Sequence, residues 1–77
     1  MNEGYRLTDF TLEELSILNR VISMSLNTLE NEYSEMKDIA PNTAKAIGKN
    51  AMVIQEIQVR VLTAFSIVKE REKTLSN

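Results

Sequence analysis

Residues 29–51, LENEYSEMKDIAPNTAKAIGKNA, decide the fold of this chain. They contain its only proline, Pro41, and apolar residues extend from both sides of it in alternating steps of three and four. The positions before the proline are Leu12, Leu15, Asn19, Ile22, Leu26, Leu29, Tyr33 and Met36, and those after it are Ala44, Ile47, Ala51, Ile54, Gln58, Val61, Phe65 and Val68. The two series mirror each other about residue 40. A seam of period 3.5 that folds back at a proline predicts an all-α fold, a long antiparallel helical hairpin.

Local signals place the ends of both helices. Thr11 and Glu14 form a capping box, in which each side chain can accept a hydrogen bond from the other residue's backbone N–H. Phe10 precedes this cap at the spacing of a hydrophobic staple with Leu15. Pro41 is tolerated only in a loop or in the first turn of a helix. We therefore predict a single domain with an arm over 1–10, helix 1 over about 12–37, a turn over 38–42 and helix 2 over about 43–73. Gly48 falls inside helix 2, and we attribute it to close packing near the turn.

The composition limits how so short a chain can become stable. Folds of this size usually need a disulfide, a metal ion or a partner subunit. The 77 residues include no cysteine, which excludes a disulfide, and no histidine. Histidine is the commonest metal ligand and the commonest general base near neutral pH. Oligomerisation is the expected route to stability.

Charge is divided unevenly along the chain. Residues 1–40 contain three basic and eight acidic residues, a net charge of −5, and residues 41–77 contain six basic and three acidic, a net charge of +3. Opposite charges on the two arms favour their antiparallel pairing. The overall charge of −2 argues against a general nucleic-acid-binding protein. The polar N-terminus does not fit a secretory signal and no apolar run approaches a membrane span, so we expect a cytoplasmic protein with no membrane partner.

The hairpin has more apolar residues than its seam requires. When the seam residues are assigned to heptad positions a and d, further apolar residues of both helices occupy one flank of the seam. We call this set the wide apolar face; its members are Ile17, Leu18, Val21, Met24, Val53, Ile57, Ala64 and Ile67. A monomer that exposed this face would tend to aggregate. We predict that two hairpins stack these faces as a homodimeric four-helix bundle; the alternatives are a different protein partner and, less favoured, a lipid surface.

Two amides interrupt the apolar seam. Asn19 and Gln58 lie within about one helical turn of each other when the hairpin is folded about residue 40. We interpret them as a polar layer that sets the register of the helices, as a buried asparagine does in coiled coils. A ligand site at this layer is the weaker alternative.

A smaller apolar group occupies the opposite flank of helix 2. We call Met52, Val59 and Leu62 the docking group, because the neighbouring positions on that flank are polar and the hairpin does not require apolar residues there. Two occupants are possible: a partner protein, or the arm through Tyr5 and Leu7.

The sequence contains no motif typical of catalysis, cofactor binding or metal binding. It has no glycine-rich phosphate loop and no Glu-x-x-His pair, and positions 30 and 32 of the acidic cluster Glu30, Glu32 and Glu35 do not share a helix face. Lys45, Lys49 and Arg60 form a basic stripe too thin for nucleic acid. We therefore expect a non-enzymatic adaptor or inhibitor that occupies the surface of an unidentified partner protein. A structural or assembly subunit of a larger helical oligomer is the alternative.

Overall fold

The computed structural model describes residues 6–76, and over this range the protein is a helical hairpin. A 3₁₀ turn, Leu7–Asp9, is followed by α1, Leu12–Met36, and by α2, Pro41–Ser76. The two long helices pack against each other, and the 3₁₀ turn packs against α2. The all-α helical hairpin predicted from the sequence is confirmed; the described residues contain no strand.

The capping box forms at the start of α1. The Thr11 hydroxyl accepts from the Glu14 N–H at 3.0 Å, and the Glu14 carboxylate accepts from the Thr11 N–H at 2.9 Å. Phe10 packs against the core that contains Leu15, which is the contact expected of a staple. The capping box thereby supplies acceptors for two backbone N–H groups at the start of the helix, those of Thr11 and Glu14, and α1 begins at Leu12.

The second helix begins at the proline itself, two residues before the predicted start. A proline at the first helical position has no N–H to leave unpaired, and its φ already suits the helix. Ala40 accepts the first α2 hydrogen bond from the Ala44 N–H at 3.0 Å, while its own N–H donates to Met36 at 2.7 Å. The connection between the helices is therefore only the four residues 37–40, shorter than predicted. At its other end α2 continues to Ser76, three residues past the predicted end.

Burial is concentrated at the open end of the hairpin. The buried cluster there consists of Leu15, Val61, Ala64 and Val68, with Leu7, Phe10, Leu12, Leu18, Ile22 and Phe65 packed around it. Towards the turn only Ala44 is buried, and Tyr33 remains 43% exposed although it lies in the seam. The difference arises because the open end has a third layer, the arm with its 3₁₀ turn, whereas elsewhere two helices cover only one stripe of each other.

The polar layer crosses the seam between these two regions. The Gln58 side-chain amide nitrogen, Nε2, donates to the Asn19 side-chain oxygen, Oδ1, at 3.1 Å and to the Ser23 hydroxyl at 3.0 Å. The residue numbers of these pairs sum to 77 and 81, close to the 80 expected from the mirror pattern. A slip of one turn would leave half-buried amide groups without these partners, so the hydrogen bonds favour the observed register.

Gly48 does not have the role that the sequence suggests. It faces Tyr33, but a Cβ added to Gly48 would lie 3.7 Å from the nearest ring carbon, an ordinary van der Waals distance. Its φ is not positive. Close packing therefore does not require glycine at this position, and the attribution to packing was wrong.

Replacing Gly48 with alanine should stabilise the hairpin. Alanine in a helix interior is favoured over glycine by about 0.5–1 kcal/mol, and the structure offers space for the methyl group. Urea denaturation followed by circular dichroism would measure the gain. A lower free energy of unfolding for Gly48→Ala would mean that Tyr33 packs more tightly on α2 than described above.

Removing the cap should destabilise α1. Thr11→Ala deletes the acceptor for the Glu14 N–H and should lower the free energy of unfolding by about 0.5–2 kcal/mol. Thr28→Ala is the matched control, because the Thr28 hydroxyl only donates to the Met24 carbonyl one turn earlier inside the same helix. The control should leave stability unchanged or slightly raised. Equal losses in both variants would contradict the role of the cap.

Candidate functional site

The wide apolar face is largely open to solvent in the hairpin. Leu18 is half-buried against the core, and Ala64 is buried. The remaining six members are exposed: Ile17, Val21, Met24, Val53, Ile57 and Ile67. Met24, at 63% exposure, and Ile57, at 44%, lie on different helices, so members of the wide apolar face on both helices are open to solvent. That these residues form one continuous surface stays a prediction of the heptad pattern.

An open groove runs through the middle of this face. It has a volume of about 500 Å³ and is lined by Val21, Met24, Ser25, Thr28, Leu29 and Ile54. Its floor is the seam, through Leu29 and Ile54, and its walls are mostly side chains of α1. No charged residue occurs between residues 21 and 29 or between residues 50 and 55. The centre of the wide apolar face is thus an apolar band without charge.

Ala64 belongs to the core of the monomer and not to the exposed part of the wide apolar face. Only 3% of its surface is accessible, and it belongs to the buried cluster against which Leu7 of the 3₁₀ turn packs. The heptad pattern alone places Ala64 on the flank beside Ile57 and gives no indication of this burial. The exposed part of the face is therefore interrupted at Ala64 and continues at Ile67.

The docking group is exposed on the other flank of α2. Met52 is 64% exposed, Val59 63% and Leu62 47%. Leu7 packs against the core cluster at the open end and lines a cleft together with Val59, while all three residues of the docking group stay exposed. Tyr5, the other arm residue that the sequence suggested as a cover, lies outside the described residues. The described part of the arm thus borders the docking group at Val59 without burying it.

A cleft of about 320 Å³ separates the arm from α2. The arm contributes Arg6, Leu7 and Thr8, and α2 contributes Val59, Arg60, Thr63, Ala64 and Ile67. We call this the arm–α2 cleft. It joins the docking group, through Val59, to the wide apolar face, through Ile67. The sequence pattern gave no sign of this cleft, since it depends on the path of the arm.

The polar layer leaves little capacity for a ligand. The Gln58 amide nitrogen already donates to Asn19 and to Ser23. This arrangement fits the interpretation of the layer as a determinant of register.

Acidic residues do not converge within the described part of the chain. Over residues 6–76 no three carboxylates lie close enough together to hold a metal ion. Glu30, Glu32 and Glu35 are all exposed along late α1, with only Glu30 bordering a shallow groove near the turn.

α2 meets the length and composition criteria for a membrane-spanning helix, which was not expected of any segment from the sequence. Glu56 and Arg60 interrupt the apolar residues, but they are the only charges between residues 51 and 68, so the average composition stays apolar. In the hairpin, 17% of the apolar 18-residue window within α2 is buried. The core helix of a soluble protein meets the same two criteria.

Comparison of the chain with models of protein families, with curated proteins and with solved structures gives no match. The candidate sites are therefore defined by geometry and chemistry. They are the wide apolar face with its central groove, the exposed docking group, and the arm–α2 cleft that joins them.

Proposed function

We propose that this protein is a non-enzymatic adaptor or inhibitor that acts by occupying the surface of a partner protein. The observation that carries the proposal is the exposure of six large apolar side chains, which the heptad pattern assigns to one flank of the two-helix hairpin. Contiguous apolar patches on a small protein typically mark sites of protein–protein interaction.

The first occupant that we propose for the wide apolar face is a second copy of the chain. The charge-free centre of the face suits an interface core, where charged residues are typically depleted. Two hairpins stacked through this face would give each helix two neighbours, as in a four-helix bundle. Such a homodimer would also supply the apolar burial that a chain without disulfides otherwise lacks.

The docking group is the part of the surface that we assign to a partner protein. Met52, Val59 and Leu62 lie on the opposite flank of α2, so a dimer formed through the wide apolar face leaves them accessible. Methionine at such a position suits an adaptable contact, because its side chain is flexible and polarizable. A dimer would present this group twice, which suits an adaptor.

An assembly subunit is the second candidate, and one observation favours it. The hairpin exposes apolar side chains on two separate flanks, and a chain with two different interfaces can build an oligomer that keeps growing. The two candidates differ in their behaviour with concentration. An adaptor remains a dimer, whereas the mass of an assembly subunit continues to rise.

The dimer predicts a defined mass in solution. Multi-angle light scattering should give about twice the 8.8 kDa mass of the chain. Ile57→Glu should reduce the mass to that of a monomer or unfold the protein, because an unpaired charge in an interface costs about 3–5 kcal/mol.

Ile39→Glu is the matched control for this experiment. Ile39 is 80% exposed in the connection between the helices, so the same substitution there should leave the mass unchanged. A well-folded monomer formed by the unaltered protein would contradict self-association. An equal decrease in molar mass in both variants would show that dissociation by Ile57→Glu does not depend on its position in the wide apolar face.

A further inference from the structure

Hydrogen bonds and packing position the arm that forms one wall of the arm–α2 cleft. Within the arm, the Arg6 N–H donates to the Asp9 carboxylate at 3.0 Å, and the Phe10 N–H donates to the Leu7 carbonyl at 3.1 Å. Arg71 of α2 donates from its guanidinium to the Thr8 carbonyl at 3.3 Å. Leu7 and Phe10 are packed against the core. Residues 7–10 of the arm are therefore attached to the hairpin, through Leu7 and Phe10 on the core and through Thr8 on Arg71.

The cleft combines two cations with an apolar lining. Arg6 borders it from the arm and Arg60 from α2, and both side chains are exposed. Neither guanidinium forms an ion pair with a carboxylate of the described residues. Between them lie Val59 and Ile67, which are also exposed. Such a lining complements a segment that carries both carboxylates and apolar side chains, since arginine binds carboxylates through paired hydrogen bonds.

The apolar residues of α2 extend this surface along the helix. Met52 and Val59 are one heptad apart on α2, and Ile67 lines the cleft from the neighbouring flank, about two turns beyond Val59. The distance from residue 52 to residue 67 corresponds to about 22 Å of helix, or about four turns. A heptad spacing on one helix fits an amphipathic helix lying alongside it.

We propose that the arm–α2 cleft and the adjoining docking group bind an acidic amphipathic helix of the partner protein. Its carboxylates would pair with Arg6 and Arg60, and its apolar side chains would cover Val59 and Met52. The inference rests on the proposed protein-binding function, and it specifies the chemical character of the segment through which the partner binds.

Two other occupants fit the cleft less well. The acidic half of α1 in a second copy carries apolar residues, but Leu26 and Leu29 are half-buried in its own seam. Nucleic acid would bring phosphates to Arg6 and Arg60 but offers no apolar side chains to cover Val59 and Ile67. An acidic helix with an apolar face matches both the two arginines and the apolar lining.

Peptide display on the full chain tests this inference without knowledge of the partner. A random library of peptides about four helical turns long is selected on the immobilised protein, and the best enriched peptide is synthesised with a fluorescent label. The enriched peptides should carry Asp or Glu and apolar residues at helical spacing. Fluorescence anisotropy then measures Kd for the labelled peptide. Arg60→Glu and Arg6→Glu should each raise Kd by about tenfold or more, because each deletes a charge-assisted contact.

Two further variants locate the bound peptide. Lys37→Glu makes the same charge reversal at an exposed residue in the connection between the helices, at the other end of the hairpin, and it should leave Kd unchanged. Val59→Lys should abolish binding while circular dichroism shows an unchanged helix content. A single-stranded DNA 12-mer and a peptide of residues 23–38 serve as competitors, and neither should displace the labelled peptide.

Several outcomes would overturn the inference. These are an absence of enriched peptides, enrichment of peptides without acidic residues, and a Kd that does not respond to Arg6→Glu and Arg60→Glu. Displacement by the DNA or by the 23–38 peptide would assign the cleft to nucleic acid or to a second copy. Binding that is lost in Ile57→Glu but kept in Arg60→Glu would place the peptide on the wide apolar face. In that last case the cleft inference fails while the proposed protein-binding function stands.

Discussion

Two helices lying side by side can cover only one stripe of each other, and this constraint governs the whole molecule. The hairpin is 56 Å long but only 13 Å thick, close to the diameter of a single helix with its side chains. Complete burial occurs mainly where a third layer is present, at the open end beneath the arm. There Leu15 and Val61 are inaccessible or nearly so. Along the rest of the seam the same kinds of side chain remain partly in water, so apolar surface is left for another molecule to cover.

The arm determines how that remaining surface is divided. It packs on the core at the open end through Leu7 and leaves the centre of the wide apolar face, with its groove, accessible. The same packing forms the arm–α2 cleft and brings Arg6 near Arg60. The 3₁₀ turn thus adds a surface suited to a charged partner beside one suited to self-association. Ile67 is the residue that the two surfaces share.

The sequence predicts those features that depend on local or repeating chemistry. The hydroxyl and carboxylate of Thr11 and Glu14 define the start of α1, and the mirrored seam brings Asn19 and Gln58 into a hydrogen bond. Features that depend on tertiary placement are missed. The heptad pattern does not show whether Ala64 is buried in the monomer or available to an interface, because that depends on how the rest of the chain packs around it. The space beside Gly48 depends on the position of the Tyr33 ring, which residue spacing does not give.

The central claim is that the isolated hairpin is an incomplete fold whose apolar face is completed by a second copy. Thermal unfolding of the unaltered protein, followed by circular dichroism over a wide range of protein concentration, tests it most directly. When folding is coupled to association, the transition midpoint depends on concentration. The account predicts that Tm rises by several degrees from micromolar to millimolar protein. A cooperative transition whose Tm is the same throughout that range would show that the monomer is stable by itself and would contradict the account.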